Sequence, residues 1–407
     1  MDDQPQHTPS PVPPYAEQPT PAESPRDPSS LMSPPQKPRR KIVAAISAVA
    51  AVVVIAIGIV VGLQLTTKQA PPHIKVGVMM AFSGGSSSMG YGAMKGVQLA
   101  LKQLNATNIE ITKVDSKCDS KAAIDAVKNL ISQKVAAIIG EGCSSASVAA
   151  LPYANNAKIP MISPSASSPA LSKPDDYFFR VIPSDNFQGA FMAQTIYDRG
   201  YRKVAVFYTN EPYGSGMNTV FRDKFEALGG KVVATATAEP DVIDLQDQMK
   251  TLKAATPEAM FIAPNSVVSA TAALKLAHEA GIATPFFGAD IMYDNTIISN
   301  NPAVAEGLTI SSFPTGTKAF KQALLNEYGK SEQLYAAPQA YDIIHILQLA
   351  AQKGAATGEE IKKALPQIKL SDGVSGFMQF DANGEVSDKN YKYDLFQVKN
   401  GAFSLVE

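Results

Sequence analysis

Tryptophan is absent from this 407-residue chain, cysteine occurs twice, histidine four times, and the formal net charge is only -1. So even a charge balance leaves no basic surface for nucleic acid. Scarce histidine narrows the chemistry further. His7 falls in a proline-rich stretch and His73 just before the first strand pattern, while His278 and His345 sit inside helical patterns where packing or surface roles suffice. G-x-S-x-G, H-E-x-x-H and G-x-x-x-x-G-K-[ST] are all missing, which removes the usual marks of a serine hydrolase, a zinc protease and a phosphate-loop nucleotide binder. The Gly/Ser-rich stretch Gly84 to Gly92 reads as a turn after the first strand, but it lacks the phosphate-loop lysine. No metal or cofactor is indicated, and an enzyme is the weakest of the available readings.

What is present divides into zones. Residues 1–41 hold twelve of the 29 prolines and almost no large apolar residue, so they cannot bury enough surface to fold and are expected to form a disordered cytoplasmic tail. Pro-x-x-Pro spacings within it fit either an SH3-like partner or chance. Ile42 to Leu63 follows as 22 residues without a charge, long enough at ~1.5 Å per residue to cross the ~30 Å hydrocarbon core as a helix. Lys37, Arg39, Arg40 and Lys41 stand immediately before it, which places the tail in the cytoplasm and everything after it outside. The rival reading is a cleaved signal peptide, whose apolar region is usually ~7 to 15 residues. No cysteine follows the run, so a lipid-attached form is not indicated. Residues 64–73 read as a linker.

From Ile74 onward, strand and helix patterns alternate, which implies parallel sheets with helices on both faces. Strands are expected near Ile74–Met79, Ile109–Val114, Val135–Ile139, Ile159–Ile162, Val204–Tyr208, Val232–Thr237, Ala259–Ile262, Pro285–Phe287 and Leu308–Ser311, with a helix starting near Met94. The pattern restarts after Phe178 to Asp185 and ends near Ser311 to Pro314, which divides the fold into two lobes, 74–183 with 313–386 and 184–312 with 387–407. Asn383-Gly384 signals a hairpin turn near the end.

Two hydroxyl-rich turns, one at Ser144 and Ser145 and one over Ser163 to Ser168, each follow a strand. Such turns lie on one edge of a parallel sheet, where ligands bind. Ser144 or Ser145 is the natural N-cap of the next helix, and a helix start can share its free N–H groups with an anion. The plain alternative is that these serines only cap helices. Cys118 and Cys143 also follow strands at that edge, so a disulfide is plausible in an oxidising compartment, with two buried thiols as the alternative.

Taken in order, A-F-S-G, G-Y-G-A-M-K-G-V-Q-L-A, D-S-K-C-D, G-E-G-C-S-S, M-I-S-P-S-A-S-S-P-A-L, F-F-R-V-I-P-S-D, N-E-P-Y-G-S-G and F-D-A-N-G-E resemble the leucine/isoleucine/valine-binding protein family of extracytoplasmic solute receptors. The resemblance implies two α/β lobes joined by three crossovers, which close on an amino acid and deliver it to an ABC-type membrane permease. It implies that Ser144 binds the ligand carboxylate, that Ser165 and Ser167 hold ammonium and carboxylate, that Tyr213 closes over the ligand, and that Asp290 pairs with the ammonium. Asp290 could instead cap the helix after Gly288. Met89 and Tyr91 stand at the family's first-loop tyrosine, while Asn265 and Ser266 replace a second-lobe aromatic, so the resemblance leaves the ligand side chain open. A sensor ectodomain of the same fold is the alternative function.

Overall fold

The computed structural model describes residues 52–53, 70–329, 335–386, 391 and 393–406. By its contacts the chain divides into two units, 1–69 and 70–407. The expected tail, nearly all of the expected membrane segment and most of the linker lie outside the described residues. Among the described residues, no helix is long and apolar enough to cross a membrane.

The first sheet is built from β1 (Ile74–Met80), β2 (Ile109–Asp115), β3 (Ala137–Gly140), β4 (Met161–Ser163) and β5 (Phe178–Arg180), alternating with helices α1 (Ser87–Gln103), α2 (Ser120–Ser132) and α3 (Ser144–Ala157). All its strands are parallel, in the order β2-β1-β3-β4-β5. Every residue of β3 is buried, as expected of an inner parallel strand covered on both faces. Strand β4 starts only at Met161, after Pro160, which has no N–H to give the ladder.

The sequence pattern placed the start of the first helix at Met94, whereas α1 begins at Ser87 and takes in the last two thirds of the Gly/Ser-rich stretch. The reason is close packing. Gly90 lies so near the Ala81 carbonyl that a Cβ would come within 1.9 Å of its oxygen, so glycine there serves a helix approach and not a turn.

The second sheet contains β6 (Lys203–Thr209), β7 (Lys231–Ala238), β8 (Ala259–Ala263), β9 (Phe286–Gly288) and β10 (Thr309–Ser312), with helices α4 (Asp185–Asp198), α5 (Pro212–Ala227), α6 (Gln246–Ala254) and α7 (Val267–Glu279). Two apolar clusters pack on it. Helices α8 (Asn295–Asn300) and α9 (Pro302–Ala305) precede β10, and α10 (Lys318–Tyr328), α11 (Ala337–Gln352) and α12 (Gly358–Ala364) follow it. These last helices return to the first sheet, whose core includes Phe320, Ile344, Leu347 and Ile361. A short pair, β11 (Lys369–Leu370) and β12 (Met378–Gln379), precedes two antiparallel strands, β13 (Asp394–Lys399) and β14 (Ala402–Leu405), which finish the second sheet in the order β14-β13-β10-β9-β8-β6-β7.

The chain passes between the sheets after β5, after β10 and before β13. Arg180, fully buried at the end of β5, fastens two of these passages: its guanidinium pairs with Glu385 and donates to the Ser168 carbonyl at 2.9 Å. Glu385 closes the Asn383-Gly384 turn, where the Asp381 N–H donates to its carbonyl at 2.8 Å and Gly384 has φ +72°.

Candidate functional site

The carboxyl ends of both sheets face one cavity, whose volume is about 30 Å³, room for about a water or two before side chains move. One wall is the turn from β3 into α3: Gly142, Cys143, Ser144 and Ser145, with Met89, Cys118 and Ser165 beside it. The opposite wall is Glu211, Tyr213, Asn265, Asp290 and Ile291, and Tyr335 closes one side.

Local sequence explains the first wall. Gly142 leaves room for the side chains packed on it: a Cβ would meet Met80 Cε at 2.7 Å and both Met89 Cε and Ser165 Oγ at 2.9 Å, so all three would have to shift. Ser165 donates to the Gly142 carbonyl at 3.0 Å and touches Met89 Sδ at 3.2 Å, which joins the two turns to α1. Cys143 is the N-cap of α3, so neither Ser144 nor Ser145 takes the capping position that the sequence suggested. Ser144 is instead the first helical residue, and its Oγ accepts the Ser168 N–H at 3.1 Å, which locks the second serine turn against the helix start. The disulfide Cys118–Cys143 is formed, with a Cα separation of 5.5 Å. A helix start leaves its first N–H groups unpaired and carries partial positive charge, so this wall suits an anion.

The other wall is acidic. Asp290 begins a short 3-10 turn but caps nothing: its carboxylate accepts the Tyr213 hydroxyl at 2.9 Å and the Tyr335 hydroxyl. Burial raises its pKa, and the two tyrosine donors work against that rise. Tyr213 is itself fixed by Glu211, the N-cap of α5, which accepts from the Tyr213 N–H at 2.8 Å and the Gly214 N–H at 2.7 Å. Burial raises the Glu211 pKa as well. Among the described residues, no lysine, arginine or histidine lines the cavity. Among the described residues, no three His, Cys, Asp or Glu side chains converge as metal ligands.

Of the residues singled out in the sequence, Met89, Ser144, Ser165, Tyr213, Asn265 and Asp290 come together around this cavity. Ser167 is buried behind it, its carbonyl accepting the Asp185 N–H at 2.8 Å and its Oγ without a partner among the described residues. Tyr91 stands apart: it is 51% exposed, with its ring edge against Phe82 and the Lys113 ammonium over it. Ser266 serves as the N-cap of α7.

Three residues at the site escaped the sequence reading. Glu211 and Asp185 stand in the quoted N-E-P-Y-G and R-V-I-P-S-D stretches, but nothing in a lone motif says that an acid faces inward. Asp185 is fully buried; Ser167 lies near it, yet among the described residues neither carboxylate oxygen has a partner in hydrogen-bond geometry. Burial, and then the charge of Asp290, push its pKa well up. Tyr335 carried no signal at all, since it reaches Asp290 only through the tertiary fold.

The profile of the periplasmic binding protein family matches residues 73–402. The chain is 25% identical over 327 residues to a leucine-, isoleucine-, valine-, threonine- and alanine-binding protein of Pseudomonas aeruginosa, an alignment covering 75% of this chain and 85% of the relative. A leucine-binding protein LivK from Thermotoga maritima superposes with a TM-score of 0.75 at 25% identity, over 82% of this chain and 98% of that one. The branched-chain amino acid transporter substrate-binding protein LivJ from Streptococcus pneumoniae, in complex with isoleucine, gives 0.73 at 28% identity, over 82% and 99%.

Proposed function

Because the chain belongs to the periplasmic binding protein family, and has the fold of its branched-chain amino acid substrate-binding members, we propose that it is a membrane-anchored extracytoplasmic receptor, and not an enzyme, that captures a small amino acid by lobe closure and hands it to an ABC-type permease. One observation carries the reading: the cavity sets the start of α3 and Ser144 opposite Asp290, so that an anion site and a cation site share one small space. That charge pattern matches a zwitterion. The polar Asn265, with an Oδ1 that lacks a partner among the described residues, and the disulfide beside Met89 would meet the ligand side chain. The small volume favours a short side chain.

The anchor rests on the 22 uncharged residues Ile42 to Leu63 behind four basic ones. Both halves of the proposal meet in one experiment on cells producing the full-length protein. Alkaline-washed membranes should keep saturable binding of a labelled amino acid, and protease added to intact cells should abolish it. If the binding activity instead leaves with the wash, on a protein whose first residue lies between 64 and 73, the apolar run is a removed leader.

A further inference from the structure

Directly behind the anion wall lies a buried acid that the binding reading does not use. Glu141 joins β3 to the turn that opens α3 and is fully buried, yet it does not line the cavity. One oxygen of its carboxylate accepts the Ser116 hydroxyl at 2.7 Å and the other accepts the Cys143 N–H. Its carbonyl accepts the hydroxyls of Ser163 at 2.6 Å and Ser147 at 3.1 Å. An internal carboxylate therefore already accepts the N–H of Cys143, the N-cap of the helix whose next residue, Ser144, faces the cavity.

We propose that Glu141 is a proton site coupled to the ligand site: an anionic group arriving at the start of α3 drives a proton onto the Glu141 carboxylate, so that binding takes up a proton. The inference rests on the reading that the ligand carboxylate binds at this helix start. Two negative charges in one buried, water-poor turn repel with little screening. Protonation of one of them relieves this, and the structure supplies a place for the proton. The Ser116 hydroxyl now donates to Glu141, but a hydroxyl both donates and accepts, so it can turn and accept from the protonated carboxyl while the Cys143 N–H keeps the carbonyl oxygen. Alanine at residue 116 would offer no such reversal.

The group is poised for this. Burial, opposed by its bonds from Ser116 and Cys143, raises its pKa to about 7, and the charge of Asp115 at the end of β2 adds to the rise. Around it, the β2 loop brings Asp115 and the exposed Lys117, the serines of α3 and of the β4 turn are neutral, and Glu211 and Asp290 lie across the cavity. The sign follows: a neighbouring ligand carboxylate raises the Glu141 pKa further, so this group favours binding below neutrality and the preference fades as the pH climbs past about 7. Asp290 acts in the opposite sense, since pairing with an ammonium favours its ionised form, and the two contributions separate by mutation.

The test is calorimetric titration of the full-length protein in detergent with L-leucine, L-isoleucine, L-valine, L-threonine and L-alanine, using the tightest binder in buffers of different ionisation enthalpy. Subtracting the proton uptake of Glu141→Gln from that of the wild type at pH 7.5 should leave about half a proton. Wild-type affinity should fall up to about tenfold, relative to the variant, from pH 6 to pH 8.5, the change a one-unit shift allows. Ser116→Ala, which keeps Glu141, should lower the uptake too, and serves if Glu141→Gln fails to fold. Equal proton counts in wild type and both variants would overturn the coupling while leaving the binding reading intact. Absence of heat with all five amino acids would remove that reading, and the inference with it.

Discussion

Replacing Asp290 by Asn should weaken amino-acid binding by roughly 2 to 5 kcal/mol, about 30-fold to several thousand-fold, without unfolding the empty protein. The exchange keeps the shape: the amide oxygen accepts one of the Tyr213 and Tyr335 hydroxyls, and the other hydroxyl can turn to accept from the amide NH2, so what is chiefly lost is the charge. A reading from sequence alone would leave the acid unpaired in the closed cleft, opposing closure. In the structure the two tyrosines already solvate it, and the ligand ammonium would add a charge-assisted partner. For the empty protein the sign runs the other way. The folded pKa of Asp290 is raised by burial, so its contribution to stability is greatest below the unfolded value and is lost as pH rises through the folded one. At neutral pH the Asn variant should therefore melt at the same temperature or higher. Calorimetry reads both effects, and an unchanged Kd would show that the cation site lies elsewhere.

Loss of the Cys118–Cys143 bridge should cost about 3.5 kcal/mol of stability, the chain-entropy value for a sequence separation of 25. In a domain this large that corresponds to a fall in melting temperature of roughly 5 to 10 °C. The bridge also holds geometry that the local sequence does not favour. Lys117 and Cys118 both have φ +58°, in the left-handed region that costs a non-glycine residue about 1 to 2 kcal/mol. Released, this loop can relax, and with it the N-cap of α3 and the position of Ser144. Ligand affinity should therefore drop together with stability. Scanning calorimetry of the Cys118→Ser/Cys143→Ser variant, with the same titrations as for the wild type, decides this. An unaltered melting temperature would mean that the bridge constrains nothing beyond what packing already does.

The layout of the fold was legible because it is periodic. Apolar runs such as Val135 to Ile139 alternate with helical spacing, and that alternation implies parallel sheets, of which the first is wholly parallel and the second is finished by the antiparallel β13 and β14. Boundaries moved where a single residue outweighed the pattern: Pro160 delayed β4, and Gly90 let α1 begin seven residues early by packing on the Ala81 carbonyl. The serine turns were visible as composition, but which hydroxyl does what was not. Ser144 is tied to Ser168 across 24 positions, and Cys143 takes the cap. Least legible were the inward acids. Asp185, Glu211 and Glu141 look like surface residues in a linear sequence, and only the tertiary fold turns them inward. Tyr335 meets Asp290 from 45 residues away, a contact that no local rule contains.

If the cavity between the sheets receives an amino acid, that ligand should stabilise the folded protein. The most direct test is the melting temperature of the purified protein with and without each amino acid, measured beside a sugar and a nucleobase as controls. At a hundred times its Kd a true ligand stabilises by about 2.7 kcal/mol, enough for a rise of several degrees. Such a rise is expected with one small amino acid or a close group of them and with neither control; a rise with the sugar or the nucleobase, and none with any amino acid, would show that the cavity takes a different ligand.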